Sequence, residues 1–253
     1  MLARLILVLI LAALPVRAEE VVLGLSREKV AITATFEGSD LLVFGAVKRE
    51  TPISEKPLDV IVAIAGPSKP LTVRRKEWLY GIWVNTDAVE IDAAPSFYAV
   101  ATTGPLDDVL SDVEDLRHRV SIPRAIRAVG VSSTVEDAQT FTEALIRIRR
   151  DKGVYSVQEG AVSLDEQTLF RTSVSLPANL TEGAYRTRIF LTRDGQIVSD
   201  FETEIDVRKV GLERWLFTLS RQQPMLYGLM SLAIAIAAGW GASAIFRFLR
   251  QGT

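Results

Sequence analysis

The residues of this sequence best suited to chemistry lie in one run, Arg74-Arg-Lys-Glu-Trp-Leu-Tyr-Gly-Ile-Trp-Val-Asn85. Three successive cations beside three aromatic rings suit binding rather than bond-making. Guanidinium and ammonium groups give charge-assisted hydrogen bonds to oxyanions, and Trp, Tyr and Arg are over-represented where proteins grip their partners. Taken as one extended strand, Arg74, Lys76, Trp78 and Tyr80 share a face, and Arg75, Glu77, Leu79 and Trp83 share the other. Arg74, Arg75, Lys76, Trp78, Tyr80 and Trp83 are therefore the candidate binding patch. Ordinary cross-strand packing, with arginine stems lying over indole rings, is the favoured reading of the same composition.

No catalytic, cofactor-binding or metal-ligating set stands beside that patch. The chain has no cysteine and one histidine, His118. The first fact removes disulfides, thiolate nucleophiles, thiolate metal sites and Fe–S ligation. A lone imidazole supplies no second imidazole ligand for a metal cluster, so His118 is expected to decorate a helix. The acids Asp107, Asp108, Asp112, Glu114 and Asp115 interleave with a helical apolar stripe, so they read as a solvated face rather than a calcium loop. Paired-carboxylate hydrolysis needs two acids across a cleft, and 31 acids in the chain leave no way to choose a pair. Asn179-Leu-Thr181 has the form of a glycosylation sequon and reads as a turn. The chain is expected to be no enzyme.

The elements that must position the patch follow from periodicity. Apolar alternation and turn clusters mark strands at 30–36, 41–47, 58–65, 89–91 and 97–101. Leu71 to Val84 is one long strand bent at Gly81 or two strands. Leu106, Val109, Leu110, Val113, Leu116 and Val120 follow a helical period, ended at Ser121-Ile-Pro123. A second helix opens at the capping box Ser133-x-x-Glu136, with Val135, Ala138, Phe141, Leu145 and Ile148 on its apolar side and Gly153 just past its end. Strands resume at 169–176, 183–192 and 196–207, the last two joined at Asp194-Gly195. The expected fold is mainly β: an antiparallel, Ig-like β-sandwich with a two-helix insertion, plus one C-terminal transmembrane helix. Whether the strands make one sandwich or two stays open.

Both ends of the chain speak of membranes. Between Arg221 and Arg247 there is no charge, and roughly 20 apolar residues suffice to cross a hydrocarbon core as a helix. Ala235, Gly239 and Ser243 form a row of small residues there, a candidate helix–helix interface. Ahead of it, Leu212, Trp215, Leu216 and Leu219 make an amphipathic stripe. At the other end Arg4, the apolar run Leu5 to Leu14 and Val16-Arg17-Ala18 read as a secretory signal. The expected layout is a signal peptide at 1–18, a first group of sandwich strands at 19–104 and the helical insertion at 105–153. A second group of sandwich strands follows at 154–210, then an amphipathic segment at 211–221, a membrane helix at 222–246 and a cytoplasmic tail at 247–253. Export leaves the body in the periplasm. The basic residues around the anchor point the other way by count, with Arg208, Lys209, Arg214 and Arg221 before it and Arg247 and Arg250 after it, so the signal carries the orientation. With Arg4, Arg17, Arg247 and Arg250 set aside, 25 cations face 31 acids in the body, a balance of −6 that is poorly suited to nucleic acid.

Six stretches carry a resemblance to a known family. They are Arg74-Arg-Lys-Glu77 with Gly81-Ile-Trp-Val-Asn85, Pro95-Ser-Phe-Tyr-Ala-Val100, Phe141-Thr-Glu-Ala-Leu-Ile-Arg147, Leu169-Phe-Arg171, Lys209-Val-Gly-Leu-Glu213 and Gln223-Pro-Met-Leu-Tyr-Gly-Leu229. Together they resemble the alphaproteobacterial putative transmembrane protein family. The resemblance implies a signal, an exported body and a C-terminal anchor in the inner membrane of a Gram-negative cell, and it carries no catalytic residue. It hints at a partner, a sulfite exporter of the TauE/SafE type. The leading expectation is a non-enzymatic accessory protein that binds another inner-membrane or periplasmic protein. The alternative is a small-anion module for sulfite or organosulfonates, using Arg74, Arg75 and Lys76.

Overall fold

A computed structural model describes residues 19–25, 29–32, 38–49, 56–128, 138–209 and 212–251. The strands in chain order are β1 (Glu19–Leu25), β2 (Lys29–Ile32), β3 (Ser39–Arg49), β4 (Asp59–Ala65), β5 (Ser68–Leu79), β6 (Ile82–Pro95), β7 (Tyr98–Thr102), β8 (Tyr155–Gln158), β9 (Ser163–Asp165), β10 (Leu169–Leu176), β11 (Gly183–Arg193) and β12 (Gln196–Lys209). The helices are α1 (Leu106–Val109), α2 (Asp112–His118), α3 (Ile122–Ala125), α4 (Ala138–Asp151), α5 (Leu212–Gln222) and α6 (Pro224–Gln251). They divide into two compact units, a body that holds the first four helices and the strands apart from the last residues of β2 and β12, and a smaller unit that holds α5 and α6.

The body is mainly β, as its alternating runs require. One sheet has the order β1-β3-β10-β9, a second the order β2-β12-β11-β4-β7-β8, and β5 and β6 make a two-stranded sheet, with one further bridge from Ala93 of β6 to Arg127. Strands from before and after the helical segment enter both large sheets, so the two halves of the sequence build one sandwich. In β10 every second residue is buried. Phe170, Val174 and Leu176 thus face inward with Leu41, Val43 and Val47 of β3, as expected for a sheet wet on one side. Gly45 of β3 lies against the Phe170 ring: a Cβ there would come within 2.5 Å of it. By contrast Val60 to Ile64 of β4, between β11 and β7, are all buried, the continuous apolar run of a strand covered on both faces.

Four expectations need correction. The sandwich is not wholly antiparallel: β7 and β8 pair in parallel, Tyr98 opposite Tyr155. The helical segment is the crossover that a parallel pair requires. The single helix expected over 106–120 is two short ones, α1 and α2. Leu110 turns to extended backbone between them, and the Ser111 N–H donates to the Gly195 carbonyl at 2.8 Å. That bond to the β11–β12 turn replaces a helical one. Val109, Leu110 and Val120 are buried, whereas Val113 and Leu116 are exposed, so only some of the stripe reaches the core. Pro123 does not end a helix but lies in the first turn of α3, where its missing N–H costs nothing. In α4 the inward residues are Phe141, Leu145 and Ile146, while Ile148 is exposed. The capping box at Ser133 and Glu136, with Val135, lies outside the described residues, as does the proposed signal at 1–18.

The segments joining the helices are fastened by side chains. The Asp115 carboxylate accepts from the Val120 and Ser121 N–H groups at 2.9 and 2.7 Å and from the Ser121 hydroxyl at 2.6 Å. Arg188 donates to the His118 and Arg119 carbonyls at 2.6 and 2.9 Å, a cation at a helix C-terminus where the dipole favours one. The smaller unit is simpler. Pro224 opens α6, yet the Gln223 N–H still donates to the Leu219 carbonyl and the Tyr227 N–H to the Gln223 carbonyl. Pro224 to Ser243 is long and apolar enough to cross a membrane and is wholly unburied.

A projecting hairpin and the cleft at its base

Strands β5 and β6 form an antiparallel ribbon in which Trp78 pairs with Trp83 and Leu79 with Ile82. Only Tyr80 and Gly81 remain to reverse the chain. Their φ values of 49° and 86° are those of a two-residue primed turn, the kind whose twist matches that of paired strands. The run through Gly81 is therefore two strands, and the face assignment changes with it. Residues directly opposite in a ribbon present their side chains to the same side, so Trp78 and Trp83 stand together, not on opposite faces. Their ring centroids are 5.3 Å apart at 69°, an edge-to-face pair.

The tip is open to solvent. Trp78 is 58% exposed, Ile82 and Trp83 64%, and Tyr80 fully. Tyr80 is unfavourable twice over, since a non-glycine residue in the left-handed region costs roughly 1–2 kcal/mol and its ring meets no compensating core. Among the described residues no cation beside the tip lies over an indole. Among the described residues Arg75 stacks instead on Phe141 of α4, 4.8 Å from the ring centroid.

Arg75 is a latch between ribbon and helix. Its guanidinium donates to the Thr140 hydroxyl at 3.0 Å and lies 3.7 Å from the Asp87 carboxylate across the ribbon. Around that latch a cleft of about 630 Å³ opens between β5 and α4, lined by Arg74, Arg75, Lys76 and Arg147 with one carboxylate, Glu143. Glu143 accepts from the Gln139 amide at 3.0 Å. The structure thus brings all of the sequence-selected patch onto one ribbon, divided into an aromatic tip and a basic base. It adds Arg147 of α4, which in the sequence stands only as the last residue of the stretch Phe141–Arg147. The periodicity of α4 is enough to show that Arg147 leaves the Leu145 face, but not that it meets β5.

His118 and the acidic run sit within the packing of the body. His118 lies 3.5 Å from the Glu114 carboxylate and edge-on to Phe190 at 5.7 Å. Glu114 is buried and pairs with Arg117 at 2.7 Å, so the acidic run is not merely a solvated face. Among the described residues no group of three or more His, Asp or Glu side chains is placed to hold a metal ion. Asn179 donates to the Lys152 carbonyl at 3.3 Å, closing the end of α4. Ala235, Gly239 and Ser243 lie exposed along α6, in the smaller unit, and a Cβ on Gly239 would meet nothing within 4 Å.

No curated protein matches the chain. A family model described as putative transmembrane protein (Alph_Pro_TM) matches residues 20–248, a span that takes in the sandwich, the ribbon, the cleft and nearly all of α6. With its one apolar spanning helix among the described residues, the chain belongs to that transmembrane protein family.

Proposed function

We propose that this protein is a non-enzymatic accessory protein of the bacterial inner membrane, with its body in the periplasm and its C-terminus in the cytoplasm, and that it binds another envelope protein through the β5–β6 tip. The orientation rests on the signal-like segment at Arg4, Leu5–Leu14 and Val16-Arg17-Ala18. The observation that carries the binding role is the exposed aromatic tip, Trp78, Tyr80 and Trp83 with Leu79 and Ile82. Exposed apolar clusters on a folded body mark interaction sites. A ribbon that carries two indoles and a phenol has the composition of a binding hot spot.

Photo-crosslinking in intact membranes tests this reading. A photoreactive residue replacing Tyr80 is expected to give one discrete protein adduct, lost when Trp78 and Trp83 are both changed to Ser and absent when the probe replaces exposed Val198 on β12. Adducts to lipid alone, or equal protein adducts from both probe positions, overturn it. A reporter fused after Thr253 that is active only in the periplasm overturns the orientation.

A further inference from the structure

The two faces of the β5–β6 ribbon differ in what they meet. Leu71, Val73 and Arg75 alternate along β5 as its half-buried residues, and Arg75 meets Thr140 and Phe141 of α4. Thr72, Arg74, Lys76 and Trp78 alternate with them and are exposed, so they stand on the opposite face. On β6 the residues paired with Arg74, Lys76 and Trp78 are Ala88, Asn85 and Trp83, all of them exposed. A register shift beside Lys76 takes up one extra residue of β6 and leaves the alternation of β5 unbroken.

From the tip downward this outward face therefore carries an indole pair, then Lys76, then Arg74, at intervals of about 7 Å. Among the described residues no acid forms an ion pair with either cation, and neither Asn85 nor Ala88 opposite them is charged. The first carboxylate on the face, Glu90, stands opposite Thr72, on the far side of Arg74 from the tip. The body around this stretch has a formal balance of −6, so the two cations are not part of a general surplus.

A row of cations with an apolar platform at one end is complementary to an occupant of opposite charge that carries an apolar side chain at the matching place. An extended chain presents side chains on one face at the same two-residue interval, so carboxylates at alternate positions fall in step with Lys76 and Arg74. A bilayer fits the face less well. Glu77 is exposed on the ribbon's other face, next to Trp78, and a tip entering lipid would draw that carboxylate toward the hydrocarbon, where a charge is costly. A protein surface leaves it in water.

We propose that the outward face of the ribbon takes an extended acidic segment of another envelope protein, with carboxylates at alternate positions on Lys76 and Arg74 and an apolar side chain against Trp78 and Trp83. This rests on the tip's binding of such a protein and names what the tip recognises in it.

The test is photo-crosslinking in isolated membranes, with the photoreactive residue at Ala88 on the outward face or at Tyr80. The Ala88 probe is expected to capture the same protein as the Tyr80 probe. The attached peptide, read by mass spectrometry, is expected to carry Asp or Glu at alternate positions. Arg74→Glu with Lys76→Glu is expected to cut the Tyr80 adduct about tenfold or more, and rising salt to reduce it. The charge-preserving pair Arg74→Lys with Lys76→Arg is expected to retain it, as is Arg171→Glu on exposed β10 surface. Where the double reversal lowers the unfolding temperature, Arg74→Gln with Lys76→Gln decides instead, with a loss in the same direction expected. A Tyr80 adduct that these charge changes leave undiminished overturns the proposal, while the binding role of the tip stands. So does an Ala88 adduct to a peptide without acids, to lipid alone or to a second copy of this chain. Absence of any protein adduct from Tyr80 overturns both.

Discussion

The aromatic residues of the body occupy two settings. Tyr98, Tyr155 and Tyr185 are buried, and each hydroxyl donates to a backbone carbonyl: Val120 at 2.8 Å, Pro95 at 2.7 Å and Thr181 at 2.8 Å. Those carbonyls lie in connecting segments or at a strand's last residue, so each ring belongs to the sandwich while its hydroxyl fastens the chain around it. Trp78, Tyr80 and Trp83 are as large, yet the two indoles pack on each other and all three face solvent. The first set accounts for its own presence by what it stabilises. The second does not, and a ribbon that needed only to reverse direction would do better with Asn-Gly at its turn. The difference assigns the core set to folding and leaves the tip set free for contact.

The sharpest way to break that contrast is to show that both sets matter equally for stability. Tyr98→Ala removes a ring packed edge-on to Tyr155, the bond to Val120, and a hydroxyl to which Arg188 donates at 3.1 Å. A loss of about 3–5 kcal/mol is expected, as for other buried aromatics, read from chemical unfolding of the full chain in detergent. Trp78→Ala removes one edge-to-face contact and is expected to cost at most about 1 kcal/mol. Equal losses would mean that the tip supports the core.

A second measurement acts on the core set alone. Burial holds all three phenols above their ordinary range, with Tyr155 pushed up to about 12 and Tyr98 raised despite the opposing charge of Arg188. The unfolded chain therefore loses these protons first, near pH 10, while the folded chain keeps them. Folded-state stability is full below pH 10 and falls as the pH climbs from 10 to 12, because the unfolded state binds fewer protons there. For Tyr155 the loss is on the order of 2 kcal/mol. Unfolding midpoints measured across that window are expected to drop, and Tyr155→Phe is expected to flatten the slope.

How much of this was legible in the sequence follows from where each feature's cause lies. The alternation of β10 and the Asp194-Gly195 turn have local causes, and both stand where the residues place them. The strands β8 and β9 were not legible, since runs of four and three residues take their identity from the neighbour they pair with. The break at Leu110 and Ser111 was hidden for the same reason: Gly195, more than eighty positions away, supplies the bond that interrupts the helix. The candidate patch was legible as composition but not as geometry. Trp78 and Trp83 read as strand residues that want a core, and only the pairing across Tyr80-Gly81 shows them facing solvent together. Arg147 could not be joined to Arg74 and Lys76 from the sequence, because periodicity orders a helix face without naming what it meets.

The smallest expected effect discriminates most finely. Tyr80 holds a left-handed conformation at full exposure, a strain that no packing offsets. Observed strain of this kind points toward function. Tyr80→Gly relieves it and removes the ring, and Tyr80→Asn relieves most of it. If the tip served only to close the ribbon, both changes would be improvements without penalty. If Tyr80 is a contact residue, stability should be unchanged or higher by up to about 1 kcal/mol, while crosslinking from a probe placed at Trp83 should fall. A gain in stability with undiminished crosslinking would leave the tryptophan pair as the contact and Tyr80 without a role in it. A loss of stability would show that the phenol is held by something in the folded chain, and the separation of the two aromatic sets would fail at its most exposed member.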